Sequence, residues 1–102
     1  MTAIVRIDQN ARRSRASVYG DLVFLAGQVA DDKDGDIAKQ TREALAKVDD
    51  MLSRAGTDKS RILMAQIFLA DVADFPAMNA AWDAWVASGS TPLIGIRRAV
   101  GL

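Results

Sequence analysis

The stretch Tyr19-Gly20-Asp21-Leu22-Val23-Phe24-Leu25-Ala26-Gly27-Gln28-Val29 decides how this sequence is read. Gly20-Asp21 is a turn pair: glycine enters backbone regions that other residues avoid, and aspartate bonds its own backbone. Leu22 to Leu25 is an unbroken apolar run with β-formers at its centre. A short run of that kind, bounded by turn signals, reads as a buried strand. Residues 16–19 pair with residues 22–28 as a hairpin across the turn. A glycine inside a strand pattern weakens it, and so marks a bulge or a close backbone approach by a ligand. Gly27 is therefore expected at the rim of a small-molecule site, on the central strand of a sheet.

Upstream, residues 4–7 alternate weakly and could form a short edge strand. Arg12, Arg13 and Arg15 cluster around Ser14, either as a solvated loop or as a loop beside a binding cleft. Downstream, residues 31–36 are polar and acidic. They resemble part of a calcium loop in composition, but the Glu that closes such a loop is missing. A turn leading to a helix N-cap at Asp36 is the expected structure. Ile37, Thr41, Leu45, Val48 and Leu52 recur at three- and four-residue steps, with Ala44 and Met51 widening the stripe. This predicts a helix over 37–55, stopped by Gly56.

Residues 62–69 form a second strongly apolar strand, apolar on both faces apart from Gln66. A second helix follows, with Asp74 as expected N-cap, Pro76 in the first turn and Gly89 as the stop. Its apolar face is Phe75, Met78, Trp82, Trp85 and Val86, read as core rather than ligand box. Residues 92–100 make a last strand, with Gly95 breaking it and Arg97-Arg98 near its end.

Composition narrows the chemistry. One domain is expected at 102 residues. The formal net charge is zero and the pI about 6.1, so no nucleic-acid or membrane partner is indicated. The chain has no cysteine and no histidine. Disulfides, thiolate nucleophiles, histidine general bases and zinc sites are thereby excluded. Any catalysis must use carboxylates, Lys, Arg, Tyr, backbone groups and water. No apolar run is long enough to span a bilayer and no signal peptide is read, so a cytoplasmic protein is expected.

The order β-β-β-α-β-α-β places both helices on one face of the sheet, because strand-helix-strand crossovers are right-handed. The central strands are apolar on both faces. The uncovered face would be too large an exposed patch for a monomer, so self-association with closed symmetry is expected. A cleft between subunits is then the natural ligand site.

These residues resemble a known family. The stretch from Tyr19 to Gln28 is similar to the "G-x-L-x-F-x-S-G-Q" strand of the Rid (reactive intermediate deaminase) proteins, also called YjgF-like or endoribonuclease L-PSP. Gln40-Thr41 with Ala44-Leu45 and Val48 resembles the family's "Q-T-x-x-x-L" helix. Ile67 to Phe75, with Met78-Asn79 and Trp82, resembles "V-F-L-x-D-M-x-D-F-x-x-M/V-N-x-x-Y/W". Residues 4–8 and Trp82 to Trp85 suggest the short YoaB-like subgroup. The resemblance implies an α+β, chorismate-mutase-like fold, a mixed sheet with two helices on one face. It implies a homotrimer with three inter-subunit clefts, each taking a small keto- or imino-acid-like ligand. It also implies cofactor-free hydrolysis of enamines or imines to a keto acid and ammonia. Gly27, Gln28 and Asn79 map to motif positions at or near the family's cleft and are the expected substrate-binding residues.

The chain departs from the family pattern. Pro92-Leu93-Ile94 stands where active members have Pro-x-Arg, whose arginine grips the substrate carboxylate. Arg98 lies on the same strand face but about 13 Å further along, at roughly 3.3 Å per residue. The family's last strand, which carries a water-positioning glutamate, is expected to be missing after Leu102. Ala26 replaces the usual Ser or Thr before Gly27, and Arg13 occupies an aromatic position of the family's cleft loop. No catalytic residue is assigned. The resemblance is good through Pro92 and absent after it, through a shifted reading frame or genuine divergence. Two functions stand: an impaired deaminase, or a non-catalytic trimeric binding or regulatory module. Ribonuclease activity fits poorly with a neutral chain lacking histidine.

Overall fold

The structure, a computed structural model, describes residues 2–98. Strands β1 (Ile4–Ile7), β2 (Ala16–Tyr19) and β3 (Leu22–Leu25) form an antiparallel ladder in the order β1-β2-β3. Helix α1 (Ile37–Arg54) follows, then β4 (Met64–Leu69), α2 (Phe75–Trp85) and β5 (Leu93–Arg98). β4 and β5 pair in parallel, with Ile67 opposite Ile96. The expected mixture of antiparallel and parallel pairing is present, divided between a three-stranded and a two-stranded ladder.

Local chemistry explains the element ends. Gly20 has φ +58° in a two-residue turn that sets Tyr19 opposite Leu22. A positive φ at the first central position is what a type II′ hairpin turn requires, and its twist suits the strands. The Asp36 carboxylate accepts the Lys39 N–H at 2.8 Å, capping α1. At the other end Gly56 has φ +82°. The Thr57 N–H donates to the Leu52 carbonyl (2.9 Å), and the Gly56 N–H to the Ser53 carbonyl (3.0 Å). This is a Schellman stop.

Several boundaries differ from the sequence reading. β3 ends at Leu25, so Ala26-Gly27-Gln28 lies just beyond the strand. β4 begins at Met64, two residues later than the expected strand over 62–69, after a short 3₁₀ turn over residues 59–61. Asp74 makes no side-chain cap. It closes a 3₁₀ turn over 72–74 and already has a helical conformation, and that turn is capped by Asp71, which accepts the Ala73 N–H at 2.9 Å. Gly89 (φ +75°) serves a later turn, because α2 already ends at Trp85. Gly95 does not break β5, where it pairs opposite Gln66. The expected extension of that strand to Val100 lies outside the described residues.

Both helices pack on the β4–β5 ladder. Leu45 of α1, Leu69 of β4 and Met78 and Trp82 of α2 form the buried cluster, flanked by Ile37, Ala65, Ile67 and Ile96. Met51 and Met78 are the most completely buried side chains. Each contributes about 1.5–3 kcal/mol by leaving water. The Trp85 indole N–H donates to the Asp49 carboxylate at 2.9 Å, tying α2 to α1. Phe75, expected on the core face, is exposed.

The opposite face is bare. Leu22, Phe24, Met64, Phe68 and Leu93 are each 48–74% exposed. Their neighbours Val23, Leu25, Ala65 and Ile67 are half-buried, as strand alternation requires. The molecule is only 20 Å deep along its shortest axis, and its radius of gyration is 14.3 Å. A fully packed domain of this length has a radius near 13 Å.

Candidate functional site

The polar end of the β2–β3 hairpin is the best-organised site that the expected residues reach. The ladder continues one step past β3, because the Ala26 N–H donates to the Arg15 carbonyl at 2.9 Å. The register therefore sets Arg15 opposite Ala26 and close to Gln28. The Arg15 guanidinium donates through Nη2 to Gln28 Oε1 (2.8 Å) and through Nη1 to Asp8 Oδ2 (3.4 Å). Gln28 Nε2 donates back to the Ala26 carbonyl at 2.8 Å. The Gln28 amide is thus held at both ends, and its orientation is set by this network.

Gly27 adopts an ordinary negative φ, so its backbone does not require glycine. A Cβ built there meets nothing within 4 Å. The space beside Gly27 is open, and a ligand could reach its main chain from that side.

The segment after Gln28 is fastened to α1. The Glu43 Oε1 accepts the backbone N–H groups of Asp31 and Asp32, both at 3.2 Å. Gln40 Nε2 donates to the carbonyls of Gly35 (2.7 Å) and Lys33 (3.2 Å). Lys47 Nζ pairs with Asp31 at 2.7 Å, and Lys39 Nζ with Asp32 at 2.6 Å. The hydrogen bond from Lys47 holds the Asp31 carboxyl below its ordinary pKa, and the bond from Lys39 does the same for Asp32. Among the described residues there is no cluster of three or more metal-ligating side chains.

Asn79 lies on α2, half-buried, beside the buried Met78. Among the described residues its side chain makes no hydrogen bond, and none links it to Gly27 or Gln28. The structure brings Gln28 together with Arg15 and Asp8, two residues that the sequence reading did not select. The signal was available: a two-residue turn at Gly20-Asp21 fixes the register, and counting back along it places Arg15 across from Ala26. Ile94, where the resemblance leads one to expect an arginine, stands on β5 opposite Ala65. Arg98 stands four residues further, opposite Leu69.

The model of the family described as Endoribonuclease L-PSP matches residues 3–100. The chain belongs to this family. The match passes beyond Pro92, against the expectation that the resemblance ends there. A RutC family protein from Haemophilus ducreyi is 45% identical over 89 residues, covering 87% of this chain and 76% of its own. The RutC family protein YoaB from Escherichia coli K12 is 47% identical over 90 residues, covering 88% and 78%. Among solved structures, a YjgF-family protein from Neisseria meningitidis superposes with a TM-score of 0.93 at 37% identity. It covers 97% of this chain and 82% of its own. The chorismate-mutase-like arrangement expected of an L-PSP family member is thereby present, with α1 and α2 on one side of the strands. Among the described residues, no helix is long and apolar enough to cross a membrane.

Proposed function

We propose that this chain is a Rid-type protein acting on reactive enamines and imines, in clefts formed between the protomers of a homotrimer. The observation that carries the reading is membership of the L-PSP family together with the held Gln28 amide beside the open main chain of Gly27. Water adds to the electrophilic iminium carbon, the carbon–nitrogen bond breaks, and a keto acid and ammonia leave. A reaction of this kind needs positioning, a proton acceptor and a grip on the substrate more than it needs a strong nucleophile.

In this reading Gly27 admits the substrate to the main chain, and Gln28 presents its amide to it. Arg15 is a positioning residue, holding Gln28. Asn79 joins the site from α2. The single domain assembles through the bare face around Phe24 and Phe68, in the cytoplasm, without cofactor or nucleic acid. Turnover is impaired, because Ile94 offers no guanidinium to a substrate carboxylate.

The test is ammonia release from a freshly generated amino-acid imine, compared with an Ile94→Arg variant. Slow release by the parent chain and at least tenfold faster release by I94R support the reading. No release from either protein, with 2-keto acids still bound, would instead establish a binding module.

A further inference from the structure

We propose that the groove between α1 and α2 is a binding site for a small aromatic carboxylate, a ligand with one flat apolar ring and one acidic arm. The groove is lined from α1, from α2 and from the short turn over residues 59–61, and no residue of the β1–β3 ladder lines it. It lies on the helix side of the strands, away from Phe24 and Phe68. Neither the Gly27–Gln28 region nor assembly through the strand face covers it, and it does not depend on the deaminase reading.

The groove has a volume of about 250 Å³. That exceeds the roughly 150 Å³ in which a dry cavity takes up benzene, and it falls below the roughly 300 Å³ at which pockets for drug-sized ligands begin. One ring with a short acidic arm has the size that fits. The floor is Leu45 and Ala81, both buried, and alanine at 84 takes up little of the space. Trp85 forms a wall, and three contacts fix its indole. The ring nitrogen donates to the Asp49 carboxylate at 2.9 Å, the Trp82 ring centroid lies 5.4 Å away, and the Lys59 ammonium sits 5.1 Å from the Trp85 ring centroid. A wall already held in place costs little further ordering on binding, and paired aromatic rings gain more than the area they bury.

The charges at the groove select an anion. Arg42 and Lys59 line it with a single carboxylate, Asp49, which already accepts the indole N–H. Among the described residues neither cation makes an ion pair, whereas Arg15, Lys39, Lys47 and Arg54 all do. The helix itself withholds a partner from Arg42. A carboxylate three or four residues away can pair with a cation on a helix, as Glu43 does with Lys39 and Asp50 with Arg54. The residues at those steps from Arg42 are Ala38, Lys39, Leu45 and Ala46. Asp49 is seven residues on, roughly 10 Å along the axis. A guanidinium offers a carboxylate a planar fork of N–H donors. The ligand's acid therefore meets Arg42, and its ring lies over Leu45 and Ala81 against Trp85. Lys59 stays over the indole and adds to the positive field.

The intact protein is titrated with phenylacetate and, separately, with its neutral analogue 2-phenylethanol, followed by calorimetry and by amide NMR shifts. Saturable binding of phenylacetate is expected, at least fivefold tighter than that of the alcohol, with shifts centred on residues 42–49, 59 and 81–85. Ala84→Leu fills the groove and should weaken phenylacetate at least tenfold. Arg42→Gln should bring the acid and the alcohol within twofold of each other. Arg54→Gln, which removes a cation elsewhere on α1, should bind both as the parent does. Non-saturable binding, shifts centred on residues 26–28, an alcohol bound as tightly as the acid, or Ala84→Leu affinity within twofold of the parent overturns the proposal. Arg42 and Ala84 are both exposed, and a thermal melt confirms that the variants are folded. Should Ala84→Leu not fold, the acid-against-alcohol comparison in Arg42→Gln decides.

Discussion

Gly27 separates two roles that glycine can play. Its φ is ordinary and no atom lies where a Cβ would go, so Gly27→Ala should leave the melting temperature unchanged or slightly raised. If the main chain there meets substrate, the same variant should lose at least tenfold in imine turnover or ligand affinity; unchanged function would remove Gly27 from the site. Gln28 and Arg15 act as a unit. A double-mutant cycle with Gln28→Leu and Arg15→Met should show a coupling of about 1 kcal/mol in denaturant unfolding. The lysine pairs of Asp31 and Asp32 predict the acid limb of stability. Their folded pKa values lie below the ordinary 3.8, so the unfolded chain takes up protons first. Their contribution is complete at neutral pH and is lost as pH falls from about 4 through the lowered values. Replacing Lys39 and Lys47 by Met should lower the melting temperature slightly at neutral pH, leave it nearly unchanged at the acid end, and so flatten the curve between them.

At the scale of the element, α1 was the most legible part of the chain. Its stripe, its Asp36 cap and its Gly56 stop all use local chemistry that needs no distant partner. Asp36→Ala should cost about 1 kcal/mol through the lost Lys39 N–H bond. Gly56→Ala should cost about 1–2 kcal/mol, because alanine pays sterically at positive φ. Both are read from urea midpoints at constant slope. α2 was less legible. Asp74 has the composition of a cap, but the preceding 3₁₀ turn shifts the capping role to Asp71. The β2–β3 hairpin followed from Gly20-Asp21, whereas the early end of β3 at Leu25 did not. Alternating apolar residues continue to Val29, and sequence pattern alone does not say where pairing stops.

The whole molecule is two layers deep with one layer open. Phe24, Met64 and Phe68 are each 60% exposed on the strand face opposite the helices. A charge placed there should act on assembly and not on the protomer fold. Phe24→Lys with Phe68→Lys is expected to yield a folded monomer by light scattering, if the parent chain is a trimer. A parent chain that is monomeric in dilute buffer would remove the proposed cleft. What the sequence determined by itself was the set of elements, the side of the strands that takes the helices, and the family. Those follow from periodicity, turn chemistry and the handedness of crossovers, all encoded within short stretches. Only the tertiary structure decided that Arg15 steadies Gln28 and that Gln40 and Glu43 bind the loop after it. Such contacts join residues from separate segments, and they exist only once register and packing have brought those segments to hydrogen-bond distance.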